Sequence, residues 1–261
     1  MKFKALVLAG ERPGKDPLVK STGAPCKALV PVGGVPMIRR VVEALLASPT
    51  VEEVFLCGPE EKHWQELRPL LPPSVKWIAP ASTPSRSTLK ALELLGETPV
   101  FLTTGDHALL TPEVVEYFLH RAPRTEGADL VVGVARYETL RAAYPDARRT
   151  TYRLKEGRFC STNLYAFLTP AAKQAVYFWR RVEEKRKNPL AIVRAFGARA
   201  LAKYLSGRLS LEEAFARVSR VLGCRVAPVV IPHPEAAIDV DDPEDLALAN
   251  QILTKRGEKE P

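Results

Sequence analysis

Four cysteines are too few and too scattered to organise this chain. Cys26, Cys57, Cys160 and Cys224 form no C-x-x-C pair. That spacing argues against a zinc site and a disulfide scaffold, and leaves four incidental thiols in a reducing compartment as the plain reading. No apolar run approaches the roughly 18–20 residues that a membrane span needs. The opening "MKFKALVLAG" has a short apolar part, and "GERPGKD" follows where a signal peptide would carry a small-residue cleavage site. The expectation is a soluble cytoplasmic protein with no membrane partner. Also missing are a Walker A loop, a G-x-G-x-x-G fingerprint, a convincing Ser-His-Asp or Cys-His set, and a basic motif interleaved with aromatics of the RNA-binding kind.

What is present is ordinary globular material. Of 261 residues, 46% are hydrophobic and 26% charged, enough for one large α/β domain or two small ones. The net charge of +8 suits anionic partners. The densest basic stretch, "WRRVEEKRKN", is interleaved with Glu183 and Glu184, the pattern of a solvated helix face. Small phosphorylated ligands are therefore favoured over nucleic acid.

The first half alternates between strand and helix patterns. "FKALVLA" reads as a strand buried on both faces, and "VPMIRRVVEALLAS" as a helix with Pro36 near its start. "EEVFLC", "VKWIAP", "PVFLTT" and "ADLVVGVA" read as further strands. "PEEKHWQELRPLL", "SRSTLKALELLG" and "TPEVVEYFLHRA" read as helices, the last capped by Thr111 with Pro112 at N1. Alternation of this kind predicts a mostly parallel sheet with helices on both faces. In the second half, "TTYRLKEGRFCSTNLYAFL" predicts two strands joined at Lys-Glu-Gly. A helical region follows from about 170 to 223, in which Ser210 and Glu213 form a capping box. "CRVAPVVI" and "PEDLALANQIL" close the chain as strand and helix.

In open parallel sheets ligands bind beyond the carboxyl ends of the strands. The loop from Leu8 to Gly34 is long and rich in Gly and Lys, able to offer backbone N–H groups and ammonium groups to phosphates. "FLTTGDHALLTPE" places Asp106 at the mouth of an apolar strand. A carboxylate there, beside a phosphate loop, is a usual seat for Mg²⁺; the structural alternative is a Gly-Asp turn. His107 reads as its neighbour rather than a ligand. In "AAIDVDDPEDLALAN", Asp239 and Asp241 are two apart and point the same way in an extended segment, while Asp242 before Pro243 is placed as a helix N-cap.

"LVLAG", a basic loop, Lys27 and then "LVPVGGVPMIRRVVEAL" resemble the opening of the MobA-like nucleotidyltransferase (NTP transferase) family. That family includes molybdenum-cofactor guanylyltransferases, sugar-1-phosphate nucleotidyltransferases and methylerythritol-phosphate cytidylyltransferases. The resemblance implies that Leu8, Ala9 and Gly10 hold the nucleotide and that Lys27 binds its phosphates. The family's catalytic arginine falls on Arg12 first, with Lys15 and Lys20 as alternates. Asp106, in "TTGDHALLT", is implied as the ligand of the catalytic magnesium, completed by Asp241 or, alternatively, Asp239. "STPSRSTLKAL" resembles the base-contacting segment, with Ser87 the candidate and Arg86 beside it. "STNLYAF" resembles an acceptor-contacting strand and points to Asn163. The sequence departs from the family pattern at Glu11, where a second glycine is common, in the added residues before Lys27, and at Cys26, which separates Pro25 from Lys27.

The implied fold is a single nucleotidyltransferase domain over 1–261. Its sheet is mostly parallel, Rossmann-like and of the glycosyltransferase-A type, as in nucleotide-diphospho-sugar transferases, with a helical insertion at about 170–223. That insertion reads most plainly as extra core helices; an acceptor pocket or a homo-oligomer interface are its other uses. The implied reaction is Mg²⁺-dependent transfer of an NMP from an NTP to a phosphorylated small-molecule acceptor, releasing pyrophosphate. The competing readings are a glycosyltransferase on the same fold and a non-catalytic subunit that binds a nucleotide or nucleotide sugar.

Overall fold

The run "FKALVL" forms strand β1 (Phe3–Leu8). Phe3, Ala5 and Val7 enter one apolar layer and Leu6 the opposite one, as period-two side chains of a doubly covered strand must. A computed structural model describes residues 1–11, 16–96, 99–184 and 197–257. After β1 come α1 (Pro17–Thr22), the ribbon β2 (Pro31–Val32) and β3 (Val35–Pro36), α2 (Met37–Leu46), β4 (Val51–Cys57), α3 (Glu61–Leu67), β5 (Lys76–Ile78), α4 (Pro84–Leu95), β6 (Val100–Thr104) and α5 (Pro112–Arg121). The chain continues through β7 (Leu130–Arg136), α6 (Tyr137–Ala143), β8 (Tyr152–Leu154), β9 (Gly157–Phe167), α7 (Lys173–Glu184), α8 (Ala198–Leu205), α9 (Leu211–Leu222), β10 (Val226–Ile231) and α10 (Pro243–Arg256).

The main sheet has the order β10-β7-β9-β6-β1-β4-β5, with β8 paired to β9. Strands β1, β4, β5 and β6 run parallel, as do β7 and β10. Strand β9 lies antiparallel between β6 and β7. One face is covered by α2, α3 and α5 through Ile38, Val41, Leu45, Leu67, Val115 and Phe118. The other is covered by α4, α7 and α9 through Leu89, Leu92, Val176, Phe215, Val218 and Leu222. Phe101 and Phe118 are fully buried, with ring centroids 5.7 Å apart; full burial of each such ring contributes about 2–3 kcal/mol.

The expected alternation and parallel sheet are observed. Thr111 caps α5 by accepting from Val114 N, Ser210 and Glu213 form their reciprocal capping box, and Asp242 accepts from Asp245 N. In the predicted helical region, α7 and α9 supply core side chains; part of the basic stretch "WRRVEEKRKN" lies outside the described residues. Two elements depart from expectation. The long first loop contains helix α1, which starts at Asp16, whose side chain accepts from Leu18 N and Val19 N, with Pro17 behind it, and stops at Gly23 in a left-handed conformation. Helix α6 follows β7 directly and buries only Leu140.

Strand β9 carries the one irregularity that bears on the site. Val132 opposes Tyr165 but Val134 opposes Ser161, so β9 bulges opposite Gly133. A Cβ on Gly133 would stand 2.3 Å from Thr162 Oγ1 and 3.0 Å from Leu164 Cβ. Within the bulge Asn163 takes φ 52°, a left-handed conformation that Asn tolerates better than most residues.

Candidate active site

The carboxyl ends of β1, β4 and β6 are knitted together by main-chain bonds. Ala9 N donates to Cys57 O at 2.9 Å and Gly105 N to Leu8 O at 2.8 Å. Leu8, Ala9 and Gly10 therefore line the rim from which Asp106 projects. Among the described residues, nothing lies within 4 Å of where a Cβ on Gly10 would stand. Across the same rim, Val240 N donates to Asp106 O at 2.9 Å and lays the 239–241 segment against β6.

Lys27 stands at the centre. Its Nζ is 2.7 Å from Asp106 Oδ2 and 2.6 Å from Asp241 Oδ1. Asp106 Oδ1 also accepts from Thr104 Oγ1 at 2.5 Å. Burial pushes the Asp106 carboxyl up, but the Lys27 ammonium and the Thr104 hydroxyl outweigh it and hold it below the usual carboxylate value. Burial likewise pushes Lys27 down, and the two carboxylates more than compensate, raising it. Asp239 behaves differently. Burial, with Asp241 and Asp106 nearby, raises its carboxyl despite Arg149.

Arg149 escaped notice in the sequence. Its side chain is only 11% exposed; it sits 3.2 Å from Asp239 Oδ1 and 2.6 Å from Asp245 Oδ1. It also donates to Ala237 O at 2.8 Å and Asp239 O at 2.6 Å. Asp245 in turn accepts from Asp241 N at 3.2 Å. One guanidinium thus fixes the whole acidic segment, using the fork geometry that ammonium lacks. Asn163 reaches the same place, with Nδ2 3.4 Å from Asp239 Oδ2.

The donor set suits a hard divalent cation. Among the described residues, Asp106, Asp239, Asp241 and Asp245, if ionised, carry two more charges than their ion-pair partners Lys27 and Arg149 supply. Carboxylate oxygens are what Mg²⁺ takes.

Arg12 and Lys15 fall outside the described residues, and Lys20 is exposed on α1. Ser87, expected at the base, is buried: its Oγ accepts from Ala81 N at 2.9 Å and donates to Ala81 O at 3.4 Å. That hydroxyl shapes the loop before α4, because the helix's first turns turn it inward. Arg86 faces Glu184 at 3.9 Å instead. His107 is buried beside Thr103, and burial pushes its imidazole down to about 4, so it is neutral at pH 7. Glu11 turns away from the rim to His63 Nδ1, at 2.7 Å.

A mostly parallel sheet with an antiparallel strand between β6 and β7, and acidic loops at the strand ends, defines an α/β fold of the nucleotide-diphospho-sugar transferase type. The chain belongs to the MobA-like NTP transferase domain family, whose model matches residues 5–222, and it is a nucleotidyltransferase. The match takes in the helical stretch and ends before the Asp239–Asp241 segment. A hypothetical transferase from Thermus thermophilus is similar at 36% identity and TM-score 0.78, over 94% of this chain and 100% of that one. At the level of fold, CMP:2-keto-3-deoxy-manno-octonic acid synthetase complexed with CTP aligns at 15% identity and TM-score 0.62, over 98% of this chain and 100% of that one. The 2-C-methyl-D-erythritol 4-phosphate cytidylyltransferase of Thermus thermophilus aligns at 18% identity and TM-score 0.56, over 97% and 100% of the two chains. No curated protein matches the sequence significantly. No helix among the described residues is long and apolar enough to cross a membrane.

Proposed function

We propose that this nucleotidyltransferase moves an NMP from an NTP to a phosphorylated small-molecule acceptor, with Mg²⁺ held by Asp106 and Asp241 and with Asp239 as the alternate ligand. The observation that supports it is the position of Lys27, whose ammonium lies between Asp106 and Asp241 at the carboxyl ends of the parallel strands. A cation already rests where the negative charge converges. A bound Mg²⁺ supplies neutralisation of the phosphate oxygens.

The chain's own groups do the rest. The backbone of Leu8, Ala9 and Gly10 receives the nucleotide at the rim. A triphosphate offers Lys27 the anionic oxygens it otherwise finds on the two aspartates, and Arg12 adds a second cation. Asn163, held by the β9 bulge, faces the acceptor side. An acceptor phosphate oxygen attacks the α-phosphorus in line; the α–β phosphoanhydride bond breaks and pyrophosphate leaves with the electron pair. Positioning and electrostatics carry such a transfer, so no protein nucleophile is needed. Ala108 and buried His107 follow Asp106, so the Asp-x-Asp common to glycosyltransferases of this fold is absent, which favours pyrophosphate release over release of a finished nucleotide.

The test is pyrophosphate release with each of the four NTPs, Mg²⁺ and a pool of phosphorylated metabolites, with Asp106→Asn as the blank. Release with one NTP, dependent on one acceptor and absent in the variant, is expected. Silence across the pool while an NTP still raises the melting temperature would point to a binding subunit instead.

A further inference from the structure

Glu11, Cys26 and His63 come from three separate places: the loop after β1, the turn before Lys27, and helix α3. One ligand atom from each lies within 4.8 Å of the other two. Cys26 is 2% exposed and His63 9%, and the Glu11 side chain is 15% exposed. Glu11 Oε1 is held at 2.7 Å from His63 Nδ1 and accepts from Glu60 N at 3.2 Å. Nothing in the proposed reaction uses these three side chains, yet the chain spends a carboxylate, an imidazole and a thiol on one largely buried spot.

We propose that Glu11, Cys26 and His63 bind one Zn²⁺ ion, separate from the carboxylates around Lys27. Thiolate, imidazole and carboxylate are the three ligand types Zn²⁺ takes, and three protein ligands leave its fourth position to water. Mg²⁺ takes oxygen alone and has no use for the sulfur. Tetrahedral bonds of about 2.0–2.3 Å set ligand atoms about 3.5 Å apart. The trio therefore needs about 1 Å of side-chain movement to close on the ion, with the Glu11–His63 pair opening slightly and Cys26 moving in. The protons balance. The ion takes the place of the hydrogen between Nδ1 and Oε1, the imidazole's single hydrogen moves to Nε2 by exchange with solvent, and the Cys26 thiol releases one proton to solvent. The two anionic ligands then cancel the ion's charge, which suits a site shielded from water.

The placement gives the ion a purpose. Glu11 directly follows Gly10, and Cys26 directly precedes Lys27. Zn²⁺ would pin both ends of the first loop to α3, setting where the loop leaves the rim and where Lys27 begins. Scattered cysteines hid this, because the ligands converge only in three dimensions and no short spacing links them.

The experiment uses the full chain, stripped with chelator, dialysed and titrated with Co²⁺. A thiolate-to-cobalt charge-transfer band that saturates at one equivalent and is erased by Zn²⁺ is expected. Zn²⁺ should also raise the melting temperature of the stripped protein. Cys26→Ser should abolish the band, His63→Gln should weaken Co²⁺ binding at least about tenfold, and Asp106→Asn should leave the band intact. His63→Gln keeps the question open to test if Cys26→Ser does not fold. A folded wild-type protein with no such band, or a band that survives in Cys26→Ser or vanishes in Asp106→Asn, overturns the proposal. Pyrophosphate release plays no part in these readouts, so failure here and failure of the transfer reaction are separable.

Discussion

Lys27 Nζ and Asp106 Oδ2 lie 2.7 Å apart across 79 positions of sequence. Both side chains are about one-fifth exposed, at 19% and 21%. The ammonium also holds Asp241, 214 positions away. This one cation joins the first loop, the mouth of β6 and the segment before α10.

Replacing Asp106 with Asn should remove one of the two partners of Lys27 and one seat for a cation while preserving shape. We expect a fall in nucleotidyl transfer of at least about a hundredfold, with an unchanged circular dichroism spectrum. Steady-state kinetics at saturating Mg²⁺ checks this; turnover within a few-fold of wild type would remove Asp106 from the mechanism.

The same pair sets a pH dependence of stability. Asp106 is held below its ordinary value of 3.8, so its contribution is present above that value and lost as pH falls through the folded value. Lys27 is held above its ordinary 10.5, so its contribution is present below that value and lost as pH rises through the folded one. The pair therefore stabilises between these limits. Lys27→Met leaves two carboxylates without their cation and should cost about 1–3 kcal/mol on that plateau. Melting curves of both proteins from about pH 3 to pH 9 should show a gap that shrinks toward the acid end; a gap that widens on acidification would contradict the linkage.

Arg149 should prove as necessary as the aspartates it holds. Arg149→Met leaves Asp239 and Asp245 without their shared cation and frees the carbonyls of Ala237 and Asp239. A loss of about 3 kcal/mol is expected in urea unfolding. Arg149→Lys should recover little, because an ammonium cannot reproduce the fork. Full recovery by Lys would mean that charge alone suffices.

Gly133→Ala should destabilise by about 1–3 kcal/mol through overpacking against the bulge. Thr162→Ala removes the atom that the new Cβ meets first, at 2.3 Å. The double variant should therefore lose less than the sum of the two single ones. Strict additivity of the two unfolding free energies would show that the bulge yields without cost.

The sequence made Asp106 legible because an apolar strand ending in Gly-Asp leaves a carboxylate few places to go. The N-caps at Thr111, Ser210 and Asp242 were legible because capping is local chemistry. Lys27 emerged through family resemblance. Arg149 did not emerge, since its partners Asp239 and Asp245 lie 90 or more positions away and no periodicity marks it. Ser87 is ambiguous in sequence because a serine that opens a helix has the same signature whether its hydroxyl faces a ligand or, as its bonds to Ala81 show, the preceding loop. Helix α1 was within reach: Asp16-Pro17 and Gly23 are its start and stop signals, obscured by the composition of the loop around it. The conformation of Asn163 depends on a glycine in the neighbouring strand, which no local reading of β9 contains.

The bond from Val240 N to Asp106 O has a consequence in time as well as in space. During synthesis the parallel strands β1, β4 and β6 can pair before β9, β10 and the acidic segment exist. A growing chain thus presents Lys27 with Asp106 alone, and the second carboxylate arrives only when residues 239–241 dock on the finished rim. In chain order, then, the segment that carries Asp239 and Asp241 is the last of these parts to be made, and the bond from Val240 N to Asp106 O can form only after it.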